Sequence, residues 1–279
     1  MPGFANYDQI VNALTTGKGQ RIDFNKVSLG ATVASSAYDL WQAGGQPPAG
    51  AFGTALTGRA IDSSFAAGIS FDDPTAPATS HLLSFGAGST VGLGTLMVYD
   101  RLVEYPFTGT VLSGTFTSPT IPSRDANGAA LGAGIMAMLE TFSATARAAV
   151  TFTPTYTNSA GIAGRTAAGV IVPGTAIAGG LSNPAGAPFL WPLASGDDGV
   201  RSVQSYTLSA SALAANMCLT LIRPITFLPI MSGGSYVERD LVLQLAALPR
   251  LYDGSALGLA LLANATTTPV FGALQEAEG

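Results

Sequence analysis

The sequence predicts an all-β protein: two tandem, related β-sandwich domains of jelly-roll type behind a short N-terminal helix. Three observations predict it. Polar and apolar residues alternate with a period of two along much of the chain, as they do in strands with one buried face. A turn-and-strand element occurs twice, at 122–139 and 249–263. The 279 residues include 34 glycines and 17 prolines without a collagen period. Only 10% of residues are charged, against a usual share of about a quarter. This is a composition of short strands, tight turns and a neutral surface.

Taken in order, Asn6 caps a helical arm over residues 1–20. Tyr7, Ile10, Val11 and Leu14 fall at i, i+3, i+4 and i+7, Gln9 stands where a capping-box partner would, and Gly17-Lys18-Gly19 ends the run. Such a helix cannot bury its stripe unaided, so it is expected to dock on its own domain or on a neighbour. Val27, Leu29 and Ala31 then alternate with small polar residues as a strand. Tyr38-Asp39-Leu40-Trp41 forms a second, ended by the loop at 44–48. The runs 81–85 and 93–99 follow, with Arg101 beyond them and Pro106 closing the segment.

A first domain over 21–142 and a second over 143–279 follow from the repeats. One copy reads Pro122, Arg124, Asp125, Gly128, Ala129, Ala130, Leu131, Gly132 and then an apolar run. The other reads Pro249, Arg250, Asp253, Gly254, Ser255, Ala256, Leu257, Gly258 and then an apolar run. A second pair recurs in the same order: Ser80, Leu83, Ser84, Ala87, Ser89, Leu96, Val98, Arg101 and Pro106 resemble Ser205, Leu208, Ser209, Ala212, Leu219, Leu221, Arg223 and Pro229, with small insertions. Duplication explains the ordered pair better than chance. In the second copy Val150, Phe152 and Tyr156 alternate with threonines as a half-buried strand, and 157–161 turns. Residues 173–200, broken by Pro and Gly, form an inserted loop. Leu241, Leu243 and Leu245 make the last clear alternation, and the tail after Ala263 is expected to end exposed.

Function classes narrow by exclusion. A formal charge of −5 with no Lys/Arg cluster argues against nucleic acid. The long uncharged windows are interrupted by prolines and polar residues, so no membrane span is expected, and the start has no secretory pattern. Cys218, in an apolar run, reads as a small buried hydrophobe. His81 is the lone histidine and no Gly-x-Ser-x-Gly elbow occurs, so no catalytic residue is assigned. Asp72-Asp73 and Asp197-Asp198-Gly199 fit turns better than metal ligands, and no glycine run has phosphate-loop spacing. No cofactor or metal is expected. Arg124, Asp125, Gly128, Arg250, Asp253 and Gly254 read as structural or interface turns, because repetition at equivalent places is what architecture produces. Trp41, Phe189 and Trp191 are candidate loop contacts.

The segment Thr155-Tyr156-Thr157-Asn158-Ser159-Ala160-Gly161-Ile162-Ala163-Gly164-Arg165, the 128–139 stretch and Tyr38-Asp39-Leu40-Trp41 resemble an uncharacterised group of tailed-bacteriophage virion proteins. The resemblance implies a structural, capsid-associated particle component. The function expected is therefore a non-enzymatic decoration or cement protein of the virion, made in the host cytoplasm. Its partners would be the major capsid protein and copies of itself in a homo-oligomer. The alternatives are a tail-fibre or receptor module that binds carbohydrate, which would present aromatics in loops, and the major capsid protein itself.

Overall fold

A computed structural model describes residues 3–27, 36–90, 94–141, 149–171, 180–181, 189–212, 216–231, 233–244, 247–263 and 269–279. In chain order, α1 (Tyr7–Thr15) precedes β1 (Gly19–Lys26), β2 (Ala37–Asp39), β3 (Gly45–Gln46) and β4 (Arg59–Ala60). Then come β5 (Ser80–Ser89), β6 (Gly94–Thr108), β7 (Ser113–Thr115), β8 (Met136–Thr141) and β9 (Val150–Asn158). The second half supplies β10 (Arg165–Thr166), β11 (Gly169–Ile171), β12 (Val200–Leu208), β13 (Asn216–Ile230) and β14 (Tyr236–Asp240). Last are the one-turn helix α2 (Leu241–Gln244), β15 (Arg250–Leu251), β16 (Leu257–Ala263) and β17 (Val270–Glu278). The protein is mostly β, with antiparallel pairing throughout its named ladders and a short N-terminal helix.

Three sheets result. A central one runs β2-β16-β6-β13-β8, and two outer ones run β14-β5-β17-β1-β3 and β10-β9-β12-β7. The pairings carry a hidden symmetry. Exchange β5 with β12, β6 with β13, β7 with β14, β8 with β16 and β9 with β17, and every ladder among them maps onto another. The pair β5–β17 becomes β12–β9, β6–β16 becomes β13–β8, and β5–β14 becomes β12–β7. The pair β6–β13 maps onto itself.

The two sequence copies therefore interlock: the strand after each repeated turn pairs with the long strand of the other copy. Strands on the two sides of the expected boundary at 142/143 are hydrogen-bonded neighbours, as Leu139 in β8 and Leu219 in β13 show.

Two cores follow from this exchange. One lies between the β14-β5-β17-β1-β3 sheet and one end of the central sheet, and contains Phe24, Phe85, Leu96, Val98, Leu228, Leu259 and Leu274. The other lies under the β10-β9-β12-β7 sheet and contains Tyr105, Phe107, Phe152, Trp191, Tyr206 and Leu219. The strands β6 and β13 serve both cores, one end each. A β-bulge on each makes this possible: the extra residue is Leu102 on β6 and Ile225 on β13. Such a bulge bends its strand and increases its twist. On the opposite face of the central sheet Met97, Tyr99, Met138, Ile222 and Ala260 form a smaller cluster.

Several expectations are corrected. Pro106 does not close its segment, because β6 runs on to Thr108, while Pro224 adjoins the bulge in β13. Proline is tolerated where a bulge frees the ladder of one donor. Tyr38–Trp41 splits into β2 and a 3-10 turn, Leu40–Gln42, whose start Asp39 caps by accepting the Trp41 N–H at 3.0 Å. The alternation at 241–245 becomes α2, because the Asp240 carboxylate accepts the N–H groups of Val242 and Leu243 and starts a helical turn. Leu245 lies outside the described residues. So do most of the 27–31 alternation and half of the inserted 173–200 loop.

The tail is corrected as well. It is β17, an interior strand between β5 and β1, with Val270 and Leu274 facing the core. The helix expectation holds in its caps: the Asn6 side chain accepts the Gln9 N–H at 3.0 Å. Only one residue of its expected stripe is used. Ile10 and Ala13 are buried, whereas Tyr7, Val11 and Leu14 stay exposed.

Candidate functional site

The strongest electrostatic feature lies where β6 crosses the central sheet. Arg101 is fully buried and donates to Asp39 at 2.7 Å, Glu104 at 2.9 Å and Glu140 at 2.8 Å. The Tyr99 hydroxyl donates to Asp39 at 2.6 Å, and Arg59 reaches Glu104 from the rim at 2.5 Å. The guanidinium also stacks 4.6 Å from the Trp41 ring centre. Burial pushes the Glu140 carboxyl well up while Arg101 pulls it back. Burial works against the charge on Arg101 too, but Glu140 and Glu104 hold the guanidinium firmly protonated.

One residue away, Asp100 forms ion pairs with Arg124 at 3.3 Å and Arg223 at 3.6 Å. The register places Asp100 directly opposite Arg223 across the β6–β13 ladder. Asp39, Asp100, Arg101, Glu104 and Glu140 are closed off from solvent, and the ion pairs among these groups make the seam an internal clamp between strands.

The repeated turns meet here. Arg124 of the first copy donates to the carbonyls of Gly254, in the second copy, and of Ile61, and the Tyr252 hydroxyl donates to Ala126 O at 3.2 Å. Asp125 is buried. Its carboxylate accepts the N–H groups of Asn127, Ala129, Leu131, Gly132 and Ala133 at 2.8–3.3 Å. Burial raises its pKa, but those donors outweigh it and the net shift is downward. Gly128 and Gly254 both take positive φ, 73° and 71°. The copies differ past that point: Leu131 is exposed in a loop, whereas Leu257 is buried in β16. Arg250 and Asp253 are exposed, with Arg250 over the Tyr252 ring at 4.7 Å.

The candidate loop contacts are not on the surface. Trp41 and Trp191 are 1% exposed and Phe189 is 7% exposed. Trp191 sits edge-on to Phe152 at 5.1 Å and donates its indole N–H to Ala167 O at 3.0 Å. Phe189 packs 6.0 Å from Phe227. Burying so large an apolar area outweighs leaving these rings in water. His81 lies partly buried beside Phe4, its ring centre 5.6 Å away, with burial lowering its pKa. No cluster of three or more His, Cys, Asp or Glu side chains fit to hold a metal occurs among the described residues. No described helix is long and apolar enough to cross a membrane.

Open chemistry lies elsewhere, on the outer face of the β14-β5-β17-β1 sheet. The register sets Tyr236, Gly88, Phe271 and Asn25 in one row, and Glu238, Gly86, Ala273 and Asp23 in the next. The third row is Asp240, Ser84, Gln275 and Arg21. A Cβ on Gly86 would stand 2.2 Å from the Tyr236 hydroxyl oxygen, and one on Gly88 would stand 3.0 Å from the Phe271 ring. The two glycines thus let both rings rest on the backbone of β5, while Tyr236 remains 49% and Phe271 43% exposed. Arg21 pairs with Asp23 at 3.1 Å.

Beyond Ser84 the face opens into a cleft of about 470 Å³ under α1, lined by Tyr7, Leu14, Ser84, Glu238, Gln244 and Gln275 among others. Sequence reasoning missed this face. The available signal was Gly86-x-Gly88 inside a strand, a small-residue floor on one side of the pleat.

No family model and no curated protein matches the chain. Among solved structures it is similar to an infectious bursal disease virus VP2 subviral particle. That match has a TM-score of 0.20 and 10% identity, over 93% of this chain and 80% of that one. A structure of the Gx strain of the same virus gives a TM-score of 0.18 and 12% identity, over 94% of this chain and 79% of that one. Scores at this level do not establish a common chain path.

Proposed function

We propose that the chain is a non-enzymatic structural protein of a virion: a capsid-associated decoration or cement protein of the tailed-phage kind, located on the particle. Its partners in this reading are the major capsid protein and copies of itself, and its interlocked sandwiches descend from a duplicated jelly-roll-like unit.

One observation carries the reading. Of 12 basic and 17 acidic residues in the chain, Lys26, Asp39, Asp100, Arg101, Glu104, Arg124, Asp125, Glu140, Arg223 and Glu276 are buried. A third of the charge in a chain that is only 10% charged is thus inside, clamping the fold, and the surface is left correspondingly poor in charge. That surface carries exposed apolar side chains at Val111, Leu112, Ile162, Met231 and Leu243. A surface depleted of charge and dotted with apolar groups suits contact with a lattice of neighbours, where many modest interfaces add together.

Light scattering of the purified chain, followed by co-sedimentation with virus particles, tests this. An oligomer that sediments with particles is expected. A monomer that stays in the supernatant overturns the reading.

A further inference from the structure

We infer that the outer face of the β14-β5-β17-β1 sheet is a binding site for a neutral oligosaccharide, which lies along β5 from the Tyr236–Phe271 platform toward the cleft under α1. A pyranose ring presents an apolar C–H face and a belt of hydroxyls. It is held by an aromatic ring against the first and by planar polar side chains against the second. Both are here on one surface. Tyr236 and Phe271 lie against Gly86 and Gly88, and Ser84, Gln275, Glu238, Arg21 and Asp23 occupy the rows beside them.

The glycines are what make the platform. Any larger residue at Gly86 meets the Tyr236 ring, so the rings could not rest on the strand.

Length and charge define the ligand further. From Gly88 to Ser84 the strand covers roughly 13 Å at about 3.4 Å per residue, and the cleft of about 470 Å³ continues it. A short chain of sugars fills that path and a single ring does not. Arg21 is already paired with Asp23, while Glu238 and Asp240 add negative charge on the β14 side and the cleft lining contains no basic side chain. Sialylated, sulfated and phosphorylated glycans are repelled by such a field. The same charge opposes the stacking of a second copy on this face, where Glu238 and Asp240 would meet carboxylates like themselves.

The site does not depend on the virion reading. A glycan-binding face is possible on or off a particle, so glycan binding and particle co-sedimentation can succeed or fail separately.

The test applies the full chain to an array of immobilised neutral glycans (glucans, mannans, galactans and N-acetylglucosamine oligomers) together with sialylated and sulfated ones. Calorimetry on the strongest neutral oligosaccharide follows. Binding to at least one neutral class is expected. It should weaken about tenfold or more, the effect of a stacking contact of ordinary strength, in Tyr236→Ala and in Phe271→Ala. It should fall comparably in Gly86→Val, which keeps both rings but displaces Tyr236. Ile162→Ala, exposed on the β9–β10 connection, should bind as the parent does. Tyr236 and Phe271 are both about half exposed, so their replacement leaves the cores intact, which circular dichroism checks. The inference is overturned if no neutral glycan binds, if only anionic glycans bind, or if folded Tyr236→Ala/Phe271→Ala protein retains parental affinity.

Discussion

Arg101 and Asp39 are joined at 2.7 Å with neither side chain exposed to solvent, and they tie β6 to the edge strand β2 inside the central sheet. A buried guanidinium in contact with Asp39, Glu104 and Glu140 is where removing one partner is most damaging, because the three carboxyls lose their counter-charge while remaining out of water. Arg101→Met should lower unfolding free energy by about 3–5 kcal/mol. Adding Glu104→Gln and Glu140→Gln should return part of that loss. Urea unfolding of the two variants measures it; equal losses in both would show that packing, and not uncompensated charge, controls this seam.

Asp125 organises the first repeated turn through its N–H acceptor bonds, and its copy-two counterpart has no such set. Asp125→Ala should destabilise by about 2 kcal/mol, within the scale for leaving buried and half-buried backbone donors without an acceptor. Replacing the exposed Asp253 with Ala should change stability by less than about 0.5 kcal/mol, as at ordinary surface positions. Thermal denaturation of the pair makes the comparison.

Gly128 and Gly254 share a left-handed conformation but not a neighbourhood. A Cβ on Gly128 would stand 2.6 Å from the Tyr252 ring, whereas one on Gly254 meets nothing nearer than 3.9 Å. Alanine at position 254 should lose about 1 kcal/mol through backbone strain alone. Alanine at 128 should lose distinctly more, and Gly128→Ala combined with Tyr252→Ala should recover the difference. A double-mutant cycle in urea reads the coupling.

Burial pushes the Glu276 carboxyl from its ordinary 4.5 up to about 7. Its folded pKa therefore lies above its unfolded one. Below pH 4.5 the group is protonated in both states and contributes nothing. Between about 4.5 and 7 the unfolded chain ionises first, so stability falls as pH rises, and above 7 the penalty is constant. Glu276→Gln should match the parent at pH 4 and exceed it at pH 8 by on the order of 1 kcal/mol, after allowance for solvent screening. Parallel unfolding curves at the two pH values check this.

Local patterns in the sequence were legible where local physics sets the structure. The alternation of Val150, Phe152 and Tyr156 became β9, with those side chains buried. Asn6 capped α1, and Cys218 was buried as an apolar residue. What misled was judging anchors by apolar residues alone. Val270, Phe271 and Leu274 are few apolar anchors for the tail, yet Gly272 lets Phe24 approach the strand and Glu276 is buried. Tryptophans near loops suggested contacts, but rings of that size gain most by burial.

By itself the sequence determined that this is a β protein with one amphipathic helix at its start, and that a turn followed by a strand is used twice. Both are properties of neighbouring residues, carried by pleat alternation and by turn chemistry. Only the tertiary structure decided that the two copies exchange strands, with β8 on β13 and β16 on β6. It also decided that Arg124 of one turn binds Gly254 of the other, and that the outer face of β5 carries two aromatic rings on a floor of glycine. The physical reason is that a strand's hydrogen-bonding partner and a buried charge's counter-ion are chosen across distances in sequence that no local pattern records.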